Sequence, residues 1–187
     1  MKNTLCLKIA FLLIITLFFV FPFNAISKNI RSEVLKIGKV IPNAQLSRFG
    51  KSNIQIDDLK GKIKIISIVP RLNTPVCDKQ THQFSEKNGG LDKSVDIITI
   101  STNTAQGQDS FAKKANISNL IFLSDNPDFS FGKNTGLLID GMGMLRRTVL
   151  VVDEKNIIRY VDFVPGGGLP NIKGALKAAK EVLLENS

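Results

Sequence analysis

The chain has 187 residues, of which 43% are hydrophobic, a fraction that indicates a globular protein and excludes a disordered one. Its length suits one domain with a substantial core. The formal net charge of +9 is spread along the chain rather than gathered in a block, as Lys51, Lys60, Lys62, Lys64, Lys113 and Lys114 illustrate. This distribution favours a solvated basic surface, and nucleic acid is not expected as a partner.

The first 27 residues have the parts of a secretory signal peptide. Lys2 and Lys8 form a positive n-region, a short apolar run follows, and Ala25-Ile26-Ser27 offers small residues for cleavage. The alternative is an uncleaved membrane anchor, although the apolar run is short for a spanning helix. We expect an exported protein of a bacterial periplasm or cell envelope, with residues 28–187 as its single domain. Because the leader supplies two positive charges and no acid, the mature chain carries a charge of about +7.

Strands and helices are predicted from β-branched runs, helical apolar spacing and Gly or Pro boundaries. The segment Val34–Val40 is predicted to be a short strand that runs into a turn. The other predicted strands are Leu46–Phe49, Ile54–Ile56, Lys62–Val69, Val95–Ile100, Leu120–Leu123, Arg147–Val152 and Ile157–Val164. The predicted helices are Val76–Asn88, Gln106–Ala115, Phe129–Asn134 and Asn171–Leu184, the last with an apolar side of Ile172, Leu176, Ala179 and Leu183.

This order of elements predicts an α/β protein with a thioredoxin-like fold, in which helices flank a central mixed β-sheet. The segments Leu46–Phe49 and Ile54–Ile56 would form an N-terminal β-hairpin extension. In open sheets of this kind a site forms at the carboxyl ends of the core strands. Cys77, Ser101-Thr102 and Ser124-Asp125 each follow such an end.

Cys77 is the only cysteine outside the leader, which contains Cys6. An exported protein with one cysteine forms no internal disulfide, so the thiol is either reactive or pairs with another molecule. A buried structural cysteine is the alternative. The predicted position of Cys77 at the start of a helix favours a reactive thiolate, because free N–H groups and the helix dipole point at the sulfur.

The residues around Cys77 resemble a known family. Pro70, Thr74 and Cys77 give the P-x-x-x-T-x-x-C signature of the peroxiredoxins, and the segment Asn73–Thr81 resembles their thiol peroxidase branch. The similarity runs from about Glu33 to the C-terminal helix. It implies an antioxidant thiol peroxidase that reduces hydrogen peroxide and organic hydroperoxides through a cysteine sulfenic acid. No cofactor and no metal are expected.

The resemblance also assigns roles to the site residues. Cys77 would attack the peroxide, the Thr74 hydroxyl and the helix amides would hold its oxygens, and Pro70 would shield the thiolate. The resemblance places the active-site arginine at Arg147, whose charge would favour the thiolate and stabilise the leaving oxygen. Strand alternation turns the neighbouring Arg146 to the other face, but a shift of one residue would exchange the two. Gln80 is taken for a packing or surface residue.

One position departs from the family pattern. Most thiol peroxidases carry a resolving cysteine in the helix after the second core strand, where this sequence has Ala112. The resemblance therefore implies a one-cysteine mechanism with an external thiol reductant, either a thioredoxin-like protein or a small thiol. Homodimers are common in the family, although no apolar stripe in this sequence identifies a dimer interface.

Three other functions are weighed against a peroxidase. A thiol–disulfide oxidoreductase would need C-x-x-C, but Thr74 stands where the first cysteine would be. An exported thioredoxin-fold module could use Cys77 only for sensing or binding. A cysteine protease would need His82 as a base, yet this single histidine lies more than one helical turn from Cys77 and is predicted at the surface.

Overall fold

A computed structural model of the protein describes residues 32–185. Its strands are β1 (Gln45–Leu46), β2 (Ile54–Gln55), β3 (Lys64–Ile68), β4 (Asp96–Ser101), β5 (Ile121–Ser124), β6 (Leu138–Ile139), β7 (Met144–Leu145), β8 (Thr148–Val152) and β9 (Ile158–Phe163). Its α-helices are α1 (Pro75–Glu86), α2 (Ala105–Lys114), α3 (Ser130–Thr135) and α4 (Ile172–Glu185).

The central sheet has the strand order β5-β4-β3-β8-β9. The first three strands run parallel, while β8 is antiparallel to both β3 and β9. The carboxyl end of β3 therefore lies beside the amino end of β8, where Ile68 pairs with Thr148. This pairing brings the cysteine loop after β3 next to the arginines before β8.

Each face of the sheet is covered by its own apolar cluster. On one face, residues such as Ile65, Val149 and Val151 pack with Phe84 of α1 and Ala179 of α4. The opposite face is covered by the N-terminal segment, α3 and the β6–β7 hairpin, and its buried residues include Leu35, Ile66, Phe131, Leu145 and Leu150. The alternation of β8 thus sends odd-numbered residues to the α1 face and even-numbered residues to the other.

The predicted α/β sheet flanked by helices is confirmed, as is the N-terminal hairpin, in which Leu46 pairs with Ile54. The predicted strand Val34–Val40 is wrong. Residues 32–34 are helical, and only Val40 makes an isolated bridge, to Ile157. Gly38 adopts a φ of 87°, which interrupts an extended chain, while the completely buried Leu35 holds the segment on the sheet.

The predicted apolar side of α4 is confirmed, since Ala179 is buried and Ile172, Leu176 and Leu183 pack partly buried against the core. The structure adds two buried residues that were not predicted, Ala175 and Val182. The β6–β7 hairpin was not predicted, because strands of two residues leave no periodicity to recognise.

Lys64 is not part of a solvated basic surface, since its side chain is only 1% exposed. Its ammonium donates hydrogen bonds to the carbonyls of Leu59, Lys62 and Asp153, at 2.7, 2.5 and 3.2 Å. Burial lowers the pKa of Lys64 to about 8, against the opposing attraction of nearby carboxylates. The lysine thus joins the turn before β3 to the turn after β8.

The predicted signal peptide lies outside the described residues. Between residues 32 and 185, the structure contains no helix with the length and apolar character needed to cross a membrane.

Candidate active site

Cys77 lies in the first turn of α1, directly after the loop that leaves β3. Pro75 occupies the first turn, where its missing N–H leaves no donor unpaired, and Thr74 precedes it in an extended conformation. The Thr74 side chain does not cap the helix, so its hydroxyl does not occupy the N–H groups of the first turn. The sulfur belongs to the apolar cluster on this face of the sheet, and Cys77 is only 1% exposed.

Arg147 is the charged side chain that reaches this sulfur. Its Nη2 lies 3.3 Å from Cys77 Sγ, and Arg147 itself is 6% exposed. A buried thiolate would be costly without a partner of opposite charge, which the guanidinium provides. Of the two arginines considered from the sequence, Arg147 is the one whose guanidinium reaches the thiol.

Gln80 holds Arg147 in this position, so of the two roles expected for it, packing or surface, the structure shows the buried one and adds a contact with the arginine. Gln80 is fully buried, and its Oε1 accepts a hydrogen bond from Arg147 Nη1. Its Nε2 donates to the hydroxyl of Ser67 on β3, at 2.8 Å. The spacing could have indicated this role, because Gln80 lies three residues after Cys77 and therefore on the same helix face.

Thr74 and Pro70 border the site without contacting the sulfur through a hydrogen bond. The exposed Thr74 hydroxyl donates to the carbonyl of Arg71 at 3.1 Å, which leaves its oxygen available as an acceptor. Pro70 is half-buried at the end of β3. The structure thus brings Pro70, Thr74, Cys77 and Arg147 to one end of the sheet.

The loop after the second core strand anchors the cysteine loop. Asn103 Oδ1 accepts a hydrogen bond from the Leu72 amide at 2.9 Å, and the Thr102 hydroxyl donates to the Pro70 carbonyl at 3.4 Å. Polar residues therefore do gather at the strand ends, as predicted. They hydrogen-bond the cysteine loop rather than contact the thiol.

Two further expectations concern residues near α1 and α2. His82 is partly exposed and pairs with Glu86 on its own helix, where Nδ1 and Oε1 are 2.8 Å apart, so it does not serve Cys77 as a base. Ala112 lies on α2, half-buried against the apolar cluster. Cys77 is the only free cysteine of residues 32–185, and no disulfide partner lies in that part of the chain.

Comparison with known proteins identifies the family. The family described as Redoxin matches residues 36–176. This chain belongs to the redoxin family. It is 36% identical over 146 residues to a protein of Staphylococcus epidermidis named thiol peroxidase, covering 78% of this chain and 88% of that one. A thiol peroxidase of Halalkalibacterium halodurans is 35% identical over 150 residues, with coverage of 80% and 90%.

The fold of this redoxin resembles that of solved peroxiredoxins. A peroxiredoxin-like protein from Aquifex aeolicus superimposes with a TM-score of 0.72 at 28% identity, covering 79% of this chain and 88% of that one. The resemblance to the thiol peroxidase branch of the peroxiredoxins and the thioredoxin-like fold are thereby confirmed.

Proposed function

We propose that this redoxin is a thiol-dependent peroxidase that reduces hydrogen peroxide and organic hydroperoxides through Cys77. The observation that carries the proposal is the 3.3 Å approach of Arg147 Nη2 to Cys77 Sγ at the start of a helix. Among the comparisons, relatives at about 35% identity over most of the chain are named thiol peroxidases. No observation favours a thiol-sensing or binding module without turnover.

The chemistry needs a thiolate and a place for negative charge. The thiolate of Cys77 attacks one peroxide oxygen, the O–O bond breaks, and sulfur becomes a sulfenic acid while the other oxygen leaves as hydroxide or alkoxide. Arg147 and the first-turn amides of α1 stabilise that developing charge. The leaving oxygen takes up a proton and becomes water or an alcohol.

The return step uses a thiol from outside the chain. One external thiol attacks the sulfenic acid and releases water, and a second thiol then frees Cys77 as a disulfide forms between the two. This route follows from Ala112, which stands where the resemblance expects a resolving cysteine. An external thiol as the reductant is a prediction. A homodimer, the assembly common in the family, is a prediction as well.

We also propose export. The support is the signal-peptide pattern of residues 1–27, whose cleavage would remove Cys6 and leave Cys77 as the single thiol.

The test of the proposed activity is peroxide consumption by the mature protein with dithiothreitol as the reductant. Replacement of Cys77 by Ser should abolish turnover without unfolding the protein, because no second thiol can form the sulfenic acid. Mass spectrometry after one equivalent of peroxide should place a single added oxygen on Cys77. Turnover by the Cys77→Ser variant near the wild-type rate would refute the mechanism.

A further inference from the structure

An open groove of about 850 Å³ lies between α1 and α2, beside the cysteine loop. Its volume falls within the range of about 300–1,000 Å³ found for small-molecule pockets. The wall from α1 includes Pro75 and Asp78, and the wall from α2 includes Phe111 and Lys114. Because Pro75 and Asp78 share the first turn of α1 with Cys77, a molecule in this groove lies against the turn that carries the sulfur.

The groove has one charge of each sign, on opposite walls. Asp78 is half-buried on α1, and Lys114 is exposed at the end of α2. Among residues 32–185, the single ion-pair contact of Asp78 is with His82, at 3.7 Å between Oδ1 and Nε2, and Lys114 has none. The two charges can therefore pair with a ligand that carries both an ammonium and a carboxylate.

The same groove has an apolar surface. Phe111 is half-buried and makes an edge-to-face contact with Phe122, with the ring centroids 6.1 Å apart, which fixes its position on α2. Leu72 lines the groove from the cysteine loop. The burial of Cys77, which is 1% exposed, favours a small reductant, because a small molecule needs little space to approach a sulfenic acid there.

We propose that this groove binds the reducing thiol, and that the thiol is a low-molecular-weight compound with the ammonium and carboxylate of an amino acid. The carboxylate pairs with Lys114, the ammonium pairs with Asp78, and the thiol side chain extends past Phe111 to Cys77. This inference rests on the proposed peroxidase function and names the class of its reductant. Charge complementarity and the position of the groove beside the cysteine loop carry it.

The reaction balances with two molecules of the thiol. The sulfur of the first bonds to the sulfur of Cys77–SOH, the S–O bond breaks, and the hydroxyl leaves with the thiol proton as water. The second thiol attacks the outer sulfur of this mixed disulfide, the S–S bond to Cys77 breaks, and Cys77 regains its thiol. The two small thiols lose two electrons and form a disulfide, and the Cys77 sulfur gains those electrons.

The first test compares four thiols that differ in charge. They are cysteine, 3-mercaptopropionate without the ammonium, cysteamine without the carboxylate, and neutral 2-mercaptoethanol. One equivalent of hydrogen peroxide forms the sulfenic acid, and quenched-flow mass spectrometry follows its loss to each thiol. Each rate constant is expressed as the ratio of variant to wild type, which cancels the intrinsic reactivity of the thiol.

Variants of the two charged residues then assign the recognition. Lys114→Gln should slow cysteine and 3-mercaptopropionate by about two- to fivefold, the effect of an exposed ion pair, and leave the other two thiols unchanged. Asp78→Asn should slow cysteine and cysteamine instead, whereas a general electrostatic effect would change all charged thiols of one sign and the reactive thiolates alike. Lys113→Gln is the matched control, because Lys113 is the neighbour on α2 but pairs with Asp109 and does not line the groove.

A binding measurement provides a readout that does not depend on turnover. S-methylcysteine has the same charges as cysteine but cannot reduce a sulfenic acid. Added to the Cys77→Ser protein, it should shift the amide signals of Phe111 and Lys114 in ¹H–¹⁵N nuclear magnetic resonance spectra. The shifts should weaken in a Cys77→Ser/Lys114→Gln protein.

Three results would overturn the inference. They are equal variant-to-wild-type ratios for all four thiols, a Lys113→Gln profile equal to that of Lys114→Gln, and no reduction by cysteine where a thioredoxin-like protein restores the thiol, which would assign the return step to a protein. Failure of the proposed function looks different. In that case hydrogen peroxide would form no sulfenic acid on Cys77, while the S-methylcysteine measurement would still decide whether the groove binds amino acids.

Discussion

At the scale of single residues, two features of the surroundings of Cys77 oppose each other. The apolar cluster around the sulfur disfavours a charge, whereas the guanidinium of Arg147 favours the thiolate. The balance between them depends on how firmly the arginine is held. Gln80 supplies that restraint, because it accepts a hydrogen bond from Arg147 and donates one to the hydroxyl of Ser67.

Removal of the Arg147 charge should therefore slow the reaction of Cys77 strongly. We expect Arg147→Ala to reduce the single-turnover rate of sulfenic acid formation by roughly a hundred- to a thousandfold, the usual cost of losing one preorganised donor. Thr74→Val deletes only a hydroxyl and should cost less, and the two effects should not add because they act in one transition state. Arg48→Ala controls for the loss of a charge. A normal rate in Arg147→Ala would contradict this role of the arginine.

Gln80 should act through Arg147 rather than on the peroxide. Gln80→Leu keeps the volume but removes both hydrogen bonds, so the guanidinium loses its restraint, and we expect a fall of up to about a hundredfold in the same rate. In a Gln80→Leu/Arg147→Ala double variant the two losses should not add, which a purely structural defect would not produce. Gln83→Leu on the same helix is the control, and equal behaviour of the two variants would exclude the positioning role.

At the scale of elements, the short helix α3 depends on one buried carboxylate. Asp125 is 2% exposed and accepts hydrogen bonds from the amides of Phe131 and Gly132, each at 2.8 Å. Burial raises the pKa of Asp125 to about 6, although these two amides oppose the shift. The native state thus holds the Asp125 proton more tightly than the unfolded chain does.

This difference predicts a pH dependence of stability. Between about pH 4 and pH 6 the unfolded chain releases the proton while the native state keeps it, so the free energy of unfolding falls as the pH rises, by up to about 3 kcal/mol. Asp125→Asn should lose this slope in urea titrations over that pH range, whereas Asp128→Asn, which changes an exposed neighbour, should keep it. Parallel pH profiles for wild type and Asp125→Asn would disprove the prediction.

The strands and helices also show which parts of the fold can be predicted from the sequence. The core strands were predictable because β-branched runs such as Lys62–Val69 are typical of buried strands. Val34–Val40 has fewer β-branched residues, and the strand expected before its turn does not form, because the chain turns at Gly38 and only Val40 makes a bridge. At the site, the motif identified Cys77, and the resemblance placed the active-site arginine at Arg147, which contacts the sulfur. Gln80 was missed because its partner lies 67 residues away in sequence.

At the scale of the whole molecule, the proposed export would decide which thiols the mature protein contains. Expression of the full chain in a bacterium should yield an envelope or periplasmic protein whose N-terminus lies near Lys28, as N-terminal sequencing would establish. Ala25→Arg removes a small residue from the cleavage segment and should block processing, which makes it the matched control. Recovery of Met1 from the envelope fraction would instead identify a retained anchor.

The near-complete burial of Cys77 has a consequence for the return half of the cycle. A small peroxide needs little space to reach a residue that is 1% exposed, whereas the sulfur of a reducing protein needs an open approach to the Cys77 sulfenic acid. For a protein reductant we therefore expect the first turn of α1 to unwind before reduction, a step that the first half-reaction does not need. The rate of recovery should then level off at high reductant concentration, at a ceiling set by the opening of the helix rather than by the encounter with the thiol.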